Sequence, residues 1–400
     1  MKKIIALIIA IVTVFALAAC TQTGKKEVTM DNVKIGVICL HDENSTYDAN
    51  FINAVKAVQA KLGLKDEQVI IRTGVDESDD CYKAAANMAD SGCDIVFADS
   101  FGHESYMVQA AKEFPNVEFC HATGVSAKVQ NIKNFHNAFA SIYEGRYLAG
   151  VAAGMKLNEM IESGKITADQ AKIGYVGAWP YAEVISGYTS FFLGARSICP
   201  SATMKVVYTN SWFDIAKEKE SAENLIKDGC VLISQHADSE GAPKACEAAG
   251  VPNIAYNVDT TNLGPNTAII SSKIDWEPYF ELIINAVVKG EAIPTDYCGD
   301  FSTGSVALTK LNDKAAAPGT AEKIAEIEGK LKSGEIKVFS TDAFTVKGEK
   351  LSEYKADVDG DYVGETNVIH DGYFDESNAK DFRSAPYFDM IIDGITVPET

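Results

Sequence analysis

Lys205 to Gly241, KVVYTNSWFDIAKEKESAENLIKDGCVLISQHADSEG, holds one complete strand–loop–helix–strand–loop unit. Val206-Val207-Tyr208 is a β-branched and aromatic run, broken by the polar stretch Asn210-Ser211-Trp212-Phe213-Asp214. Ala222, Leu225 and Ile226 then recur at helical spacing behind Asp214, and Gly229 ends that helix. Val231-Leu232-Ile233 reads as a short buried strand. The same order occurs earlier, in Gln68 to Glu104, QVIIRTGVDESDDCYKAAANMADSGCDIVFADSFGHE. Ser91-Gly92-Cys93-Asp94-Ile95-Val96 lies over Asp228-Gly229-Cys230-Val231-Leu232-Ile233, at an offset of ~137 residues. Lys34-Ile35-Gly36-Val37 lies over Lys172-Ile173-Gly174-Tyr175 at nearly the same offset. A period that long means duplicated lobes rather than a solenoid. The expected fold class is α/β, with two similar lobes, each a parallel sheet flanked by helices.

Composition agrees with a globular chain. Of 400 residues, 46% are hydrophobic and 23% charged, which is ordinary for a packed protein. The formal net charge of −20 argues against nucleic acid and anionic surfaces as partners. Residues 1–20, MKKIIALIIAIVTVFALAAC, read as an export signal: a basic Lys2-Lys3 start and an apolar run from Ile4 to Leu17. That run is shorter than the roughly 20 residues a spanning helix needs. Leu17-Ala18-Ala19-Cys20 resembles the bacterial lipobox, which makes Cys20 a lipidation site and the membrane a partner through that anchor. Residues 21–32 read as a polar tether. The eight remaining cysteines show no metal spacing, and buried free thiols are the expectation.

The alternation of strands and helices suggests a first lobe of residues 33–140 plus 273–296. It suggests a second lobe of 141–272 plus 297–344, and a turn-rich C-terminal extension at 345–400. A strand is expected at Glu335–Phe339. Asp357, Asp359 and Asp361 depart from the spacing of an EF-hand loop, and a hairpin turn on Asp359-Gly360 is the better reading.

In parallel sheets, ligands sit beyond the carboxyl ends of the strands. The loops there hold Trp179, Trp212 and Trp276, with Tyr47, Phe101 and Tyr181. Asp42, Asp99, Glu183, Asp214, Asp238 and Asp259 accompany them. Aromatic faces with carboxylate acceptors suit a flat ligand bearing N–H or O–H donors. Packing competes with this for Trp276, which begins a helix, and capping competes for Asp214. His41, His103, His121 and His236 are scattered, and no HxH, HExxH, GxSxG or P-loop spacing is present. The chain therefore reads as a binder, not an enzyme, with no cofactor.

Five segments are similar to the BMP family of ABC-transporter substrate-binding lipoproteins: SFGHESYMVQAAKEFPNVEFCHATG, NFHNAFASIYEGRYLAGVAAG, IGYVGAWPYAEVISGYTSFFLGARS, NSWFDIAKEKESAENLIKDG and ISQHADSEGA. The resemblance spans roughly Val33 to Phe339. It implies the type I periplasmic-binding-protein fold and a monomer. It also implies purine nucleoside or nucleobase capture between hinged lobes, with delivery to an ABC permease and its ATPase. By position it implies stacking by Trp212, acid contacts from Glu183 and Asp238, and an aromatic at Tyr47. Phe101, Trp179 and Asp259 complete the expected site. Lys273 stands near a lysine that nucleoside-binding members use and base-binding members often lack. The YEGRY and NSWFD versions are most similar to the family's purine-base-binding branch, while Ser45-Thr46 departs from the bulkier aromatic or Gly-rich turn of relatives, so base against nucleoside stays open. A rival function is a sensor for another small polar ligand; a nucleoside-processing enzyme is the more distant one.

Overall fold

The structure, a computed structural model, describes residues 27–376 and 382–398. Cys20, the rest of the leader and the tether up to residue 26 lie outside the described residues. The first lobe opens with β1 (Ile35–Ile38), α1 (Thr46–Leu62), β2 (Val69–Arg72), α2 (Asp79–Asp90) and β3 (Ile95–Ala98). It continues with α3 (Glu104–Glu113), β4 (Glu118–Ala122), the short α4 (Ala127–Gln130) and β5 (Phe135–Ala140). The second lobe repeats the plan. It runs α5 (Ile142–Glu162), β6 (Lys172–Gly177), α6 (Ala182–Ile198), β7 (Thr203–Tyr208), α7 (Ile215–Lys227), β8 (Leu232–His236), α8 (Gly241–Ala249), β9 (Asn253–Tyr256) and β10 (Ala268–Ile274).

Three crossings join the lobes. The first is β5 into α5. The second leads from β10 into α9 (Glu277–Lys289), which packs against α1. The third connects β11 (Asp296–Gly299), a first-lobe strand, to β12 (Val306–Leu308), a second-lobe strand. The boundaries expected at 272/273 and 296/297 each fall inside a strand. Lys273 pairs with Ala307 in the second-lobe sheet, and Tyr297 pairs with Ala138 in the first-lobe sheet. Hydrogen-bonded ladders, which a boundary guess ignores, decide where the chain changes lobe.

The sheets run β11-β5-β4-β3-β1-β2 and β12-β10-β9-β8-β6-β7, with one more strand at the β7 edge of the second. Ile95, Val96, Phe97 and Ala98 are all buried, because helices cover both faces of a parallel sheet. The repeat is visible down to its caps. Gly92 and Gly229 end α2 and α7 with φ of 83° and 84°, left-handed values that favour glycine.

After α10 (Thr320–Lys332), residues 335–339 form turns and not the expected strand. Their apolar side chains pack inward instead: Phe339 stacks on Phe388 of the extension at 4.5 Å. The extension holds the short pair β13 (Lys355–Ala356) and β14 (Thr366–Asn367), then β15 (Ile369–His370), β16 (Tyr373–Phe374) and β17 (Ile395–Thr396). β17 is the additional strand on β7, in parallel register. The Asp359-Gly360 turn lies in the wide loop between β13 and β14, not in a two-residue hairpin. Asp357 Oδ1 accepts from the Gly360 amide there at 2.8 Å.

Candidate functional site

Strand-end loops of the two lobes meet around one slot of about 350 Å³ of unfilled space, part of it open to solvent. Tyr47 and Phe101 line it from the first lobe, and Glu183, Trp212 and Asp238 from the second. The lobes are closed upon each other: the Thr46 amide donates to the Asp238 carbonyl at 2.8 Å.

Local rules place each group. Ser45 caps α1, and that first turn carries Tyr47, whose hydroxyl donates to the Asp99 carbonyl at 2.8 Å. Its ring meets Phe51 edge-on at 4.9 Å, which locks its rotamer. Glu183 lies in the first turn of α6, where a carboxylate also suits the helix dipole. Asp214 caps α7 by accepting from the Lys217 amide at 3.0 Å, so its role is the cap. This leaves Trp212 in a loop of non-helical backbone. The Trp212 carbonyl accepts from the Asp238 amide at 2.9 Å, tying the two second-lobe loops together. Buried Glu218 buttresses the same loops by accepting from the Asp214 and Ser239 amides, each at 3.0 Å. Burial pushes it up to about 7.

Three expected residues fall outside the slot. Trp179 stacks behind Tyr181, with rings 5.9 Å apart and nearly parallel. Exposed Asp259 accepts from the Thr261 amide at 2.8 Å and shapes its own turn. Lys273 Nζ meets Asp275 Oδ2 at 3.0 Å. Trp276 is fully buried against Phe51, the packing reading weighed for it.

Other groups at the site carry no short-range sequence signal. Asp48 and Asp99 are both buried beside the slot. Burial, then the nearby Asp48 charge, holds Asp99 well above the usual carboxylate range. Burial alone would raise Asp48 too, but hydrogen bonds from His41 and Ser45 hold it low. With Cys39, Asp48 and Asp99 could present three ligand atoms to a metal, as could Asp357, Asp359 and Asp361. In the first trio the Asp48 oxygens already accept from the His41 amide and the Ser45 hydroxyl, and in the second Asp357 is engaged by Gly360 and Arg383. Asp238 is raised by burial and then by Glu218, Asp48 and Glu183, with Arg146 opposing.

Arg146, on α5, lies fully buried with its guanidinium 3.4 Å from the centroid of the Tyr256 ring. It donates to the Gln235 carbonyl at 3.1 Å and supplies positive potential near Asp238. Burial and then Arg146 depress His236 to about 4, so it is neutral, with Nε2 3.5 Å from Glu183 Oε1. The thiols offer no poised nucleophile: burial raises Cys39 well above its usual value. Aromatic walls, carboxyl groups and a neutral imidazole can hold a flat, hydrogen-bonding ligand.

A family model described as ABC transporter substrate-binding protein, PnrA-like, matches residues 37–342. The chain belongs to this Bmp family. Its members are extracytoplasmic substrate-binding proteins, not enzymes. A purine-binding protein of Brucella abortus is 31% identical over 338 residues, covering 84% of this chain and 89% of that one. A Haloferax volcanii protein named as glucose-binding is 30% identical over 272 residues, covering 68% and 66%. A solute-binding protein from Conexibacter woesei shares the fold with a TM-score of 0.62 at 21% identity, over 76% and 98% of the two chains. No helix among the described residues is long and apolar enough to cross a membrane.

Proposed function

We propose that this protein captures purine nucleosides or nucleobases and delivers them to an ABC permease driven by its ATPase. One observation carries the reading: Tyr47 and Trp212 come from different lobes to one narrow slot, with Glu183 and Asp238 at its edge. A purine ring offers flat faces for the aromatics and N–H donors for the carboxylates. The Brucella relative's name points the same way. Cys20 carries the lipid that anchors the exported chain to the outer face of the cytoplasmic membrane. A second reading, a hexose binder, is favoured by the Haloferax relative's name.

Mass spectrometry of small molecules released by denaturing freshly purified protein tests the ligand directly. Purines should appear, and added purines should quench Trp212 fluorescence while hexoses should not. Hexose in the released fraction, with no response to purines, would overturn the reading. Cys20→Ser should move the protein out of the membrane fraction with unchanged affinity. Retention of that variant through high-salt washing would exclude the anchor.

A further inference from the structure

The C-terminal extension lies beyond the residues matched by the family model, yet it reaches both lobes. On the second lobe, β17 extends the sheet, and Arg196 donates to the Asp393 carbonyl at 2.9 Å. On the first, Lys128 Nζ donates to the Phe382 carbonyl at 2.5 Å, and the Ser384 amide donates to Asp296 Oδ2 at 2.9 Å. Bridging in this way, it roofs a compartment of about 1390 Å³ of unfilled space, partly open to solvent. Phe101, Thr123 and Glu183 line both this compartment and the interlobe slot, so the two adjoin.

The walls of the compartment are built for a ligand. Among the described residues, the exposed large aromatics are Tyr181 and Tyr362, and both line it, one from the second lobe and one from the extension. Tyr362 is 78% exposed and has a φ of 66°, a left-handed backbone that a bulky residue adopts at a cost. Asp357 holds it there, accepting from the Tyr362 amide at 3.2 Å. Gly360 lets the same loop approach, because a side chain at that position would overlap the Val125 carbonyl of the first lobe. Nothing in the packing of the extension requires an exposed tyrosine on strained backbone. A ligand wall does.

We propose that the extension builds a second ligand compartment that takes the unphosphorylated sugar of a purine nucleoside, walled by Tyr181 and Tyr362. The proposal rests on the purine reading of the slot. That slot suits a flat ring, and a substituent directed past Phe101 and Glu183 enters the adjoining compartment. There, Glu183 and Asp389 offer acceptors to hydroxyl groups, and the phenol rings offer faces to the C–H side of a sugar. A phosphate is disfavoured. The buried Arg383 guanidinium is committed to Asp357 at 3.0 Å and to the Pro386 carbonyl at 2.9 Å, so Glu183 and Asp389 outnumber the one remaining wall cation, Lys355.

Calorimetry on the full chain tests this with adenine, adenosine and adenosine 5′-monophosphate, and with the matching guanine series. In at least one series the nucleoside should bind at least about tenfold tighter than the base, and the monophosphate at least about tenfold weaker than the nucleoside. Tyr362→Ala, at an exposed position, should remove at least about fivefold of the nucleoside preference while base affinity stays within about twofold. Equal binding of base and nucleoside, or equal weakening of both by Tyr362→Ala, would overturn the sugar compartment and leave the purine slot standing. Binding of no purine in either series would overturn the slot reading, and this proposal with it.

Discussion

In the first lobe, β1 lies between β2 and β3, with Ile35 paired to Val69 and to Ile95. In the second, β6 lies between β7 and β8, with Ile173 paired to Met204 and to Leu232. The strand orders superimpose, but the lobes are assembled and equipped differently. Helices α1, α2, α3 and α9 of the first lobe contain no glycine. In the second, Gly150 of α5 lies against the Phe191 carbonyl and Gly194 of α6 against the Tyr147 carbonyl, so two helix backbones touch. The first lobe brings Tyr47 and the Asp48–Asp99 pair to the cleft. The second brings Trp212, Glu183, Asp238 and the buried Arg146. Duplication supplies a frame on which the two mouths diverge, because only the frame must satisfy the sheet.

The helix contact is where the comparison should break most sharply. Gly194→Val places branched carbons where α5 backbone already lies, and overpacking of this kind should cost about 3 kcal/mol or more. Urea denaturation should show it as a lower midpoint. A loss under about 1 kcal/mol would mean that the helices separate easily and that the glycines are incidental.

The second lobe also carries the extension, and with it Glu376, which is fully buried with neither carboxyl oxygen in a well-formed hydrogen bond. Burial raises it to about 8, against the lowering effects of Ser186 and Arg383. A raised carboxyl stabilises the fold fully below its unfolded value near 4.5, and that contribution is lost as pH rises through about 8. Between pH 6 and 9 the protein should therefore lose stability. Glu376→Gln should flatten this slope and lead the parent by about 2–3 kcal/mol at pH 9. Parallel pH profiles for the two proteins would show that Glu376 is solvated or paired in solution.

At the cleft, Glu183→Ala and Asp238→Asn should each weaken purine binding by roughly 1.5–3 kcal/mol, the range for hydrogen bonds involving charged groups. Trp212→Ala should cost about 2 kcal/mol of affinity, as loss of an aromatic anchor commonly does. Full affinity with reduced stability in any of them would make that residue a loop support.

Much of this frame was legible in the residues because a repeat of strand, helix, glycine and cysteine leaves a periodic trace. That Tyr47, Phe101, Glu183, Trp212 and Asp238 would gather around one slot was legible too, since strand-end loops converge in such sheets and these loops are polar and aromatic at once. Arg146 and the Asp48–Asp99 pair were not. Their significance arises from burial beside segments distant in sequence, and Arg146 sits mid-helix like any solvated cation. The extension was opaque for another reason. Phe374, Tyr387, Phe388 and Ile392 pack into the second-lobe core at no regular spacing, so neither helical nor strand periodicity announces them.

The smallest expected effect is the one that should be equal in the two lobes. Cys93 and Cys230 occupy matching positions, each buried after a left-handed glycine. Their amides close matching helix ends, donating to the Met88 carbonyl at 3.1 Å and to the Leu225 carbonyl at 3.0 Å. Burial pushes both thiols up to about 11, so neither is reactive at neutral pH and each acts as a small apolar plug. Replacement by alanine removes one buried sulfur and leaves the backbone bonds intact. Cys93→Ala and Cys230→Ala should each cost about 1 kcal/mol, agree within about 0.5 kcal/mol, and leave ligand affinity unchanged. The double variant should lose the sum, because the sites belong to separate lobes and share no partner. Unequal costs, or a change in affinity from one of them, would show that the equivalence of the lobes ends at the strand order and does not reach the packing beneath it.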